Sequence, residues 1–331
     1  MKRFSNRFLI IFTILVTVFV AGGCDKSGKI KVGVLKIVSD DSLDAVEDGI
    51  LDELEEEGYS NLDFDLQNAK GDIPNAESIA YKFKVDKVKI AIGIATPSAQ
   101  ALKKTLKDSI IIYAAITDPV TAGLVKSIKK GEKKIAGTSD MIPVKDHISF
   151  LKKIKSIKRL GHIYTSHEAN AITLAKMVRK ACNELGIEYI ETTVANSSEV
   201  RKATETLAGR VDALYISTDN TVLSALNDVV DVALVNKLPI MSADPSSAEK
   251  SGVLVAWGFD YYKMGRATGK LVARIVSGEK PETIPTIFMT ETSDVDLLLN
   301  LDVAKKIGIT IPDKLVSQAS RIIKDGKMTK K

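Results

Sequence analysis

Beginning at Lys29, the chain alternates apolar strand-like runs with amphipathic helix-like runs, and then repeats the plan at an offset of about 122–128 residues. "KIKVGVLKI" reads as a buried strand, and "SLDAVEDGILDELEEEGY" as an amphipathic helix that stops at Gly58. "NLDFDLQNA", "KIAIGIA" and "SIIIYAAI" continue the first series, with helices between them. In the second series "RLGHIYTS" is a strand and "ANAITLAKMVRKACNELG" a helix ending at Gly186. "EYIETTVAN", "VDALYIS" and "LPIMSA" supply its further strands. Gly58 answers Gly186, Asn68 answers Asn196, and "TDP" at Thr117–Pro119 answers "ADP" at Ala243–Pro245. Strand–helix alternation requires a parallel sheet covered on both faces, so the pattern predicts two similar α/β lobes in tandem. No Gly/Ser-rich linker separates them. They are expected to meet at short hinges, near "GTSDMIPVKDHISFLKKIKSIK" and at "WGFDYYKMGRATGKLVARIVSGEKP". The tail "LDVAKKIGITIPDKLVSQASRII" is read as a helix, a proline-marked turn and another helix.

The segment before Lys29 belongs to a different class. Lys2, Arg3 and Arg7 precede the apolar run "FLIIFTILVTVFVA" (Phe8–Ala21), which is shorter than the roughly 20 residues that span a bilayer but suits a signal peptide. "AGGC" then places small residues before Cys24 and resembles a lipoprotein signal, although Ala21 stands where a leucine is usual. Residues 1–23 are therefore expected to be removed and Cys24 to carry a lipid, with residues 24–29 as a polar tether on an extracytoplasmic, membrane-anchored protein. Without the three basic residues of the leader, the net charge falls from +5 to +2. That balance does not call for nucleic acid, and the runs "SIKKGEKK" and "LKKIKSIKR" are read first as solvated faces, with a smaller share left to a membrane surface or a partner transporter. Cys182, the other cysteine, has no partner for an internal disulfide and suits a buried structural role.

In parallel α/β sheets the ligand lies beyond the carboxyl ends of the strands, and clefts between lobes are where solutes sit. The residues at those ends are Ser39, Asp40 and Asp41; Thr96 to Ser98; Thr117 to Pro119; Thr165 to Glu168; Thr218 to Asn220; and Asp244 with Pro245. Hydroxyls and helix N-terminal amides suit a carboxylate, and aspartates suit an ammonium group, so together they suit a zwitterion. Each such residue is equally suited to capping a helix. No G-x-S-x-G elbow, P-loop or G-x-G-x-x-G follows a strand, and three histidines without zinc-like spacing predict no metal. No cofactor and no catalysis are expected. The cleft-side set contains no arginine, which argues against a sugar or nucleoside. Trp257, the only tryptophan, lies just before the second crossing, suited to the core or to stacking on a flat solute.

The motifs "ATPSAQAL", "AAITDPVTAGLVKS", "AGTSDMIPV", "HEANA", "YISTDNTV" and "GFDYYKMGRATG", in that order, resemble the solute-binding lipoproteins of ABC importers of the tryptophan/tyrosine type. The resemblance implies a two-lobed, type I periplasmic-binding-protein-like fold with the ligand cleft between lobes. Lobe 1 would comprise residues 30–142 plus about 263–290, and lobe 2 residues 143–262 plus about 291–331. It also implies binding of a small, often aromatic amino acid by hinge closure and delivery to a membrane permease with its ATPase, by a monomer. Carried onto this chain, the binding candidates are Thr96, Ser98 and Asp118 from the first lobe, and Glu168, Asn170, Asp219, Asn220 and Asp244 from the second. Asp219 is the expected ammonium partner, with Asp118 or Asp244 able to take its place. Two departures fall on the cleft side: "SDDSLD" stands where relatives often read "EHPALD", and Thr165-Ser166 replaces a usual Asn-Pro. Another solute, or a surface receptor or adhesin, is the alternative.

Overall fold

The computed structural model describes residues 29–331. The expected signal peptide, Cys24 and nearly all of the tether lie outside them. The first series runs β1 (Ile30–Lys36), α1 (Asp41–Glu56), β2 (Leu62–Asn68), α2 (Ile73–Val85), β3 (Ile90–Ile94), α3 (Thr96–Thr105), β4 (Ile110–Ala114) and β5 (Ile135–Ser139). After α4 (Val144–Ile154) come β6 (Arg159–Thr165), α5 (Ala169–Glu184), β7 (Glu188–Val194), α6 (Val200–Ala208), β8 (Ala213–Ile216), α7 (Asn220–Ser224), α8 (Leu226–Val235), β9 (Ile240–Ser242), α9 (Pro245–Ser251) and β10 (Val255–Phe259). The remainder is α10 (Tyr261–Val276), β11 (Ile287–Phe288), β12 (Val295–Asn300), α11 (Leu301–Ile307), α12 (Asp313–Val316), β13 (Arg321–Lys324) and β14 (Lys327–Lys330).

Two sheets result, ordered β11-β5-β4-β3-β1-β2 and β14-β13-β12-β10-β9-β8-β6-β7. One buried apolar cluster takes in both sheets together with α1–α5 and α10, and a second lies on the other face of the second sheet, under α6 and α8. The strands β3, β4 and β5 are buried almost throughout, as expected of central strands covered on both faces. The edge strands β2 and β7 are mostly half-buried.

The first sheet is wholly parallel and the second is parallel over most of its pairings, with two antiparallel pairings that the sequence pattern does not announce: β12 runs antiparallel to β10, and β14 to β13. The route of the chain explains the first reversal. After β10 it crosses to the first lobe, where α10 packs on α1 and β11 pairs with β5. It then re-enters the second sheet from the cleft side, so β12 starts where β10 ends. The strands β13 and β14 were not expected in the tail. "RIIK" and "KMTK" are too short and too charged to carry a strand signal, and they form by extending an existing sheet edge.

Glycine makes the α1–α10 contact. A Cβ on Gly265 would lie 2.3 Å from the Val46 carbonyl oxygen, and one on Gly49 would lie 2.3 Å from that of Tyr262. Both obstacles are backbone, which cannot rotate away. Gly265→Val is expected to destabilise the fold by about 1–3 kcal/mol or more, seen as a lower urea midpoint; an unchanged midpoint would mean that the two helices are free to separate.

Candidate functional site

The carboxyl ends of both sheets face one another across a small cavity. Its first-lobe wall is Asp40 and Ser42 at the start of α1, Ala95 and Thr96 after β3, Ala115 and Thr117 after β4, and Asp140 after β5. The second lobe contributes Asn170, Thr218, Asn220, Leu223 and Asp244, and Tyr261 enters from the crossing that opens α10. The centre of a water-sized sphere has only about 20 Å³ of room inside, enough for a water or two. An amino acid enters only if the lobes part.

Two backbone features put α3 at this wall. Ala95 has φ 69° and ψ 158°, and Ala115 has φ 55°, both in regions that side chains larger than glycine seldom adopt. The strained turn after β3 aims the first turn of α3 at the cavity, and no side chain caps that helix. Its leading N–H groups therefore present partial positive charge without a capping oxygen.

The electrostatics of the cavity are one-sided: it is lined by Asp40, Asp140 and Asp244 and by no basic side chain. Desolvation first, and then the Asp244 charge, push the Asp40 carboxyl up to about 7. Asp40 also accepts from the Ser42 and Leu43 amides as the cap of α1, which opposes that rise. Burial raises Asp140 to about 6, although Tyr261 donates to its Oδ2 at 3.1 Å. Asp244 accepts the Ser42 hydroxyl at 2.6 Å, a direct hydrogen bond between the lobes, and the Ser246 amide at 2.9 Å. Among the described residues no group of three or more His, Cys, Asp or Glu is placed to hold a metal ion.

Several buried polar atoms of the wall have no hydrogen-bond partner: Asp140 Oδ1, Asn170 Oδ1 and Thr218 Oγ1. Ser98 Oγ, two residues on from Thr96, is in the same condition. Each unmet group costs about 1–3 kcal/mol. Water or a polar solute entering the cavity can meet them.

Of the sequence-predicted residues, Asp40, Thr96, Asn170, Asn220 and Asp244 meet at this cavity. Ser39 is exposed and donates to Asp44 at 2.6 Å. Asp118 accepts from the Val120 and Thr121 amides and caps its own turn. Asp219 is fully buried away from the cavity, accepting the Thr165 amide at 2.6 Å, the Thr165 hydroxyl at 2.7 Å and the Val222 amide at 3.0 Å. It caps α7 and ties β6 to it. Glu168 accepts from Asn220 and Thr221, so it and Thr165 hold the wall from behind. Burial and the Asp219 charge raise the Glu168 pKa. The Trp257 ring lies 5.0 Å from that of His147 and 5.6 Å from that of Phe150, pinning α4 to the second sheet.

Reading from sequence missed Ser42, Asp140 and Tyr261 as site residues. Asp140 and Tyr261 sit in the two quoted crossing segments, where "SD" and "DYY" were visible polar signals at the ends of strands.

Residues 31–323 match the family described as ABC transporter substrate binding protein. The chain belongs to that family. This substrate-binding protein is 35% identical over 287 residues to the tyrosine-binding protein of Clostridioides difficile, which covers 86% of the chain and 82% of that relative. It is 32% identical to an ABC domain of Streptococcus pneumoniae solved in complex with L-Trp, with a TM-score of 0.85 over 89% of this chain and all of that one. It is 34% identical to a ligand-free, open substrate-binding protein with adhesive properties from Clostridium difficile, with a TM-score of 0.64 over 85% of this chain and 96% of that one. The fold is the two-lobed, type I periplasmic-binding-protein fold.

Proposed function

We propose that this substrate-binding protein captures an aromatic amino acid between its lobes and delivers it to a membrane permease driven by an ATPase, while a lipid on Cys24 holds it outside the cell. The observation that carries the reading is the cavity's polarity: three carboxylates and no basic side chain, sharing the wall with an uncapped helix N-terminus. Asp140, with Asp40 and Asp244 beside it, takes the ammonium group. The first turn of α3 with Thr96 takes the carboxylate, where the aligned N–H groups favour an anion. Leu43, Leu223 and the Tyr261 ring offer the apolar surface for the side chain.

Hinge closure follows from the wall having two halves. A solute touching both lobes favours the state in which both reach it. The relatives support this: identity to the L-Trp complex and to the open form is nearly equal, yet the complex superposes far better. Sequence divergence does not separate the two, so the lobes of this chain stand closer to the ligand-bound arrangement.

Calorimetry on a chain beginning at Asp25, against L-Tyr, L-Trp, L-Phe, L-Leu, a hexose and a nucleoside, tests the reading. At least one aromatic amino acid is expected to bind and to raise the melting temperature with concentration. Binding of the hexose or nucleoside alone would overturn the choice of solute.

A further inference from the structure

The lysines of the first lobe are unevenly placed. Residues 84–89, 103–108 and 126–134 hold eleven lysines against Asp86, Asp108 and Glu132, a net of +8. Residues 29–331 hold 43 Lys and Arg against 41 Asp and Glu, a net of +2, so everything outside these three segments sums to −6. Lys84, Lys87, Lys89, Lys107, Lys133 and Lys134 line two adjoining surface hollows that share residues 106–109. This is a field of one sign on an otherwise acidic molecule.

The backbone fixes where that field lies. The Lys89 amide donates to the Lys31 carbonyl at 3.0 Å, Ile110 to Lys89 at 2.9 Å and Ile111 to Lys134 at 2.8 Å. Lys89 and Lys134, and with them the lysines that share their hollows, therefore lie at the amino ends of β1, β3, β4 and β5, the end of the lobe at which Lys29 leads into β1. The solute cavity lies at the carboxyl ends, about 17 Å away along a five-residue strand, so this face does not serve it. Two apolar side chains stand exposed within the same lysine segments, Val85 at 61% and Ile128 at 44%.

The chain preceding Lys29 supplies the second argument. Cys24 is five residues from Lys29, a reach of at most about 18 Å when fully extended. Resting on the reading of Cys24 as the lipid anchor, this end of the first lobe is held within that distance of the bilayer. We infer that the lysine face seats on an anionic bilayer surface, with Val85 and Ile128 at the contact. The molecule then stands on its first lobe, and the second lobe is free to swing as the cleft opens.

Flotation of the chain beginning at Asp25, which keeps every described residue and lacks Cys24, tests the seat. Vesicles of equal phosphatidylglycerol and phosphatidylcholine are compared with phosphatidylcholine alone. Partition into the anionic vesicles is expected to be at least about tenfold greater and to disappear as salt rises from about 0.05 to 0.5 M. The triple variant Lys84→Glu, Lys107→Glu, Lys133→Glu is expected to lose at least about tenfold, while retaining its solute-induced thermal shift. A control of equal charge change on the second lobe, Lys180→Glu, Lys202→Glu, Lys314→Glu, is expected to stay within about twofold of the parent. No preference for anionic vesicles, or equal loss in both variants, would overturn the assignment. So would equally tight binding to a DNA duplex that the same variant abolishes, which would mark an unselective polyanion surface. Palmitate labelling of the parent and of Cys24→Ser tests the anchor independently of the vesicles, and an unlabelled parent would remove the reason for this face to meet a bilayer.

Discussion

Asp140→Asn is expected to weaken aromatic amino acid binding by about 30-fold to several thousand-fold, the effect of removing a carboxylate that pairs with a buried ammonium, about 2–5 kcal/mol. Asp140 is singled out by its surroundings. It is buried, it lies on the cavity wall, and its Oδ1 meets no donor, whereas Asp40 and Asp244 are partly spent on capping amides and on Ser42. The asparagine keeps the shape and can still accept from Tyr261. The free variant should melt at or above the parent's temperature, because a carboxyl whose ionisation burial disfavours has been removed.

Asp219→Asn makes the contrast. Its carboxylate accepts three hydrogen bonds from Thr165 and Val222 away from the cavity, so its loss should lower stability by about 1–3 kcal/mol with a much smaller effect on affinity. Calorimetry and thermal melting of the two variants decide between them. Parent-like affinity in Asp140→Asn, or lost affinity with unchanged melting in Asp219→Asn, would return the ammonium to Asp219.

Affinity for the amino acid is expected to rise at least about tenfold from pH 5 to pH 8, because a proton released on binding contributes up to a decade per pH unit. With the lobes this close and before a ligand enters between them, Asp40 is held at about 7 and Asp140 at about 6, above the ordinary aspartate value of 3.8. Between about pH 4 and 7 the folded chain therefore keeps protons that the unfolded chain has shed. The contribution of these carboxyls to stability falls as pH rises through that window. An ammonium ion favours their charged forms, so binding expels the protons, and acid opposes it.

The buried His147 and His162 act with the opposite sign. Burial lowers both to about 3, so the stability they lend at neutral pH is lost as pH falls from the ordinary value of 6.5 toward 3. For that reason the quantity to measure is affinity, with folding checked at each pH by circular dichroism. Calorimetry in buffers of different ionisation enthalpy should detect proton release near pH 6. An affinity that does not change with pH would show that neither carboxyl pairs with the ligand.

Much of the architecture was written in local patterns. Long apolar runs such as "KIAIGIA" and "SIIIYAAI" report strands buried on both faces, because burial constrains every residue along them. The antiparallel strand β12 and the tail strands β13 and β14 had no such signal, since their place depends on where the chain returns after visiting the other lobe.

The site divided in the same way. That polar residues at the carboxyl ends of strands would face a cleft follows from sheet geometry, and Asp40, Thr96, Asn170, Asn220 and Asp244 could be named from it. Whether such a side chain turns to the solute or back onto its own backbone depends on contacts from distant segments. Asp118 and Asp219 turned back, because an aspartate at a helix or turn start caps as readily as it binds. Asp140 and Tyr261 reach the cavity only because the crossings between lobes bring residues 121 positions apart into hydrogen-bond contact.

The sequence by itself determined two repeated α/β lobes and a zwitterion-like set of polar groups, since periodicity and residue chemistry are local properties. Only the tertiary structure decided which carboxylates share the cavity and that lysines from three separate segments line two adjoining hollows. Charge acts through space, and what lies near in space is settled by chain crossings that no local pattern records.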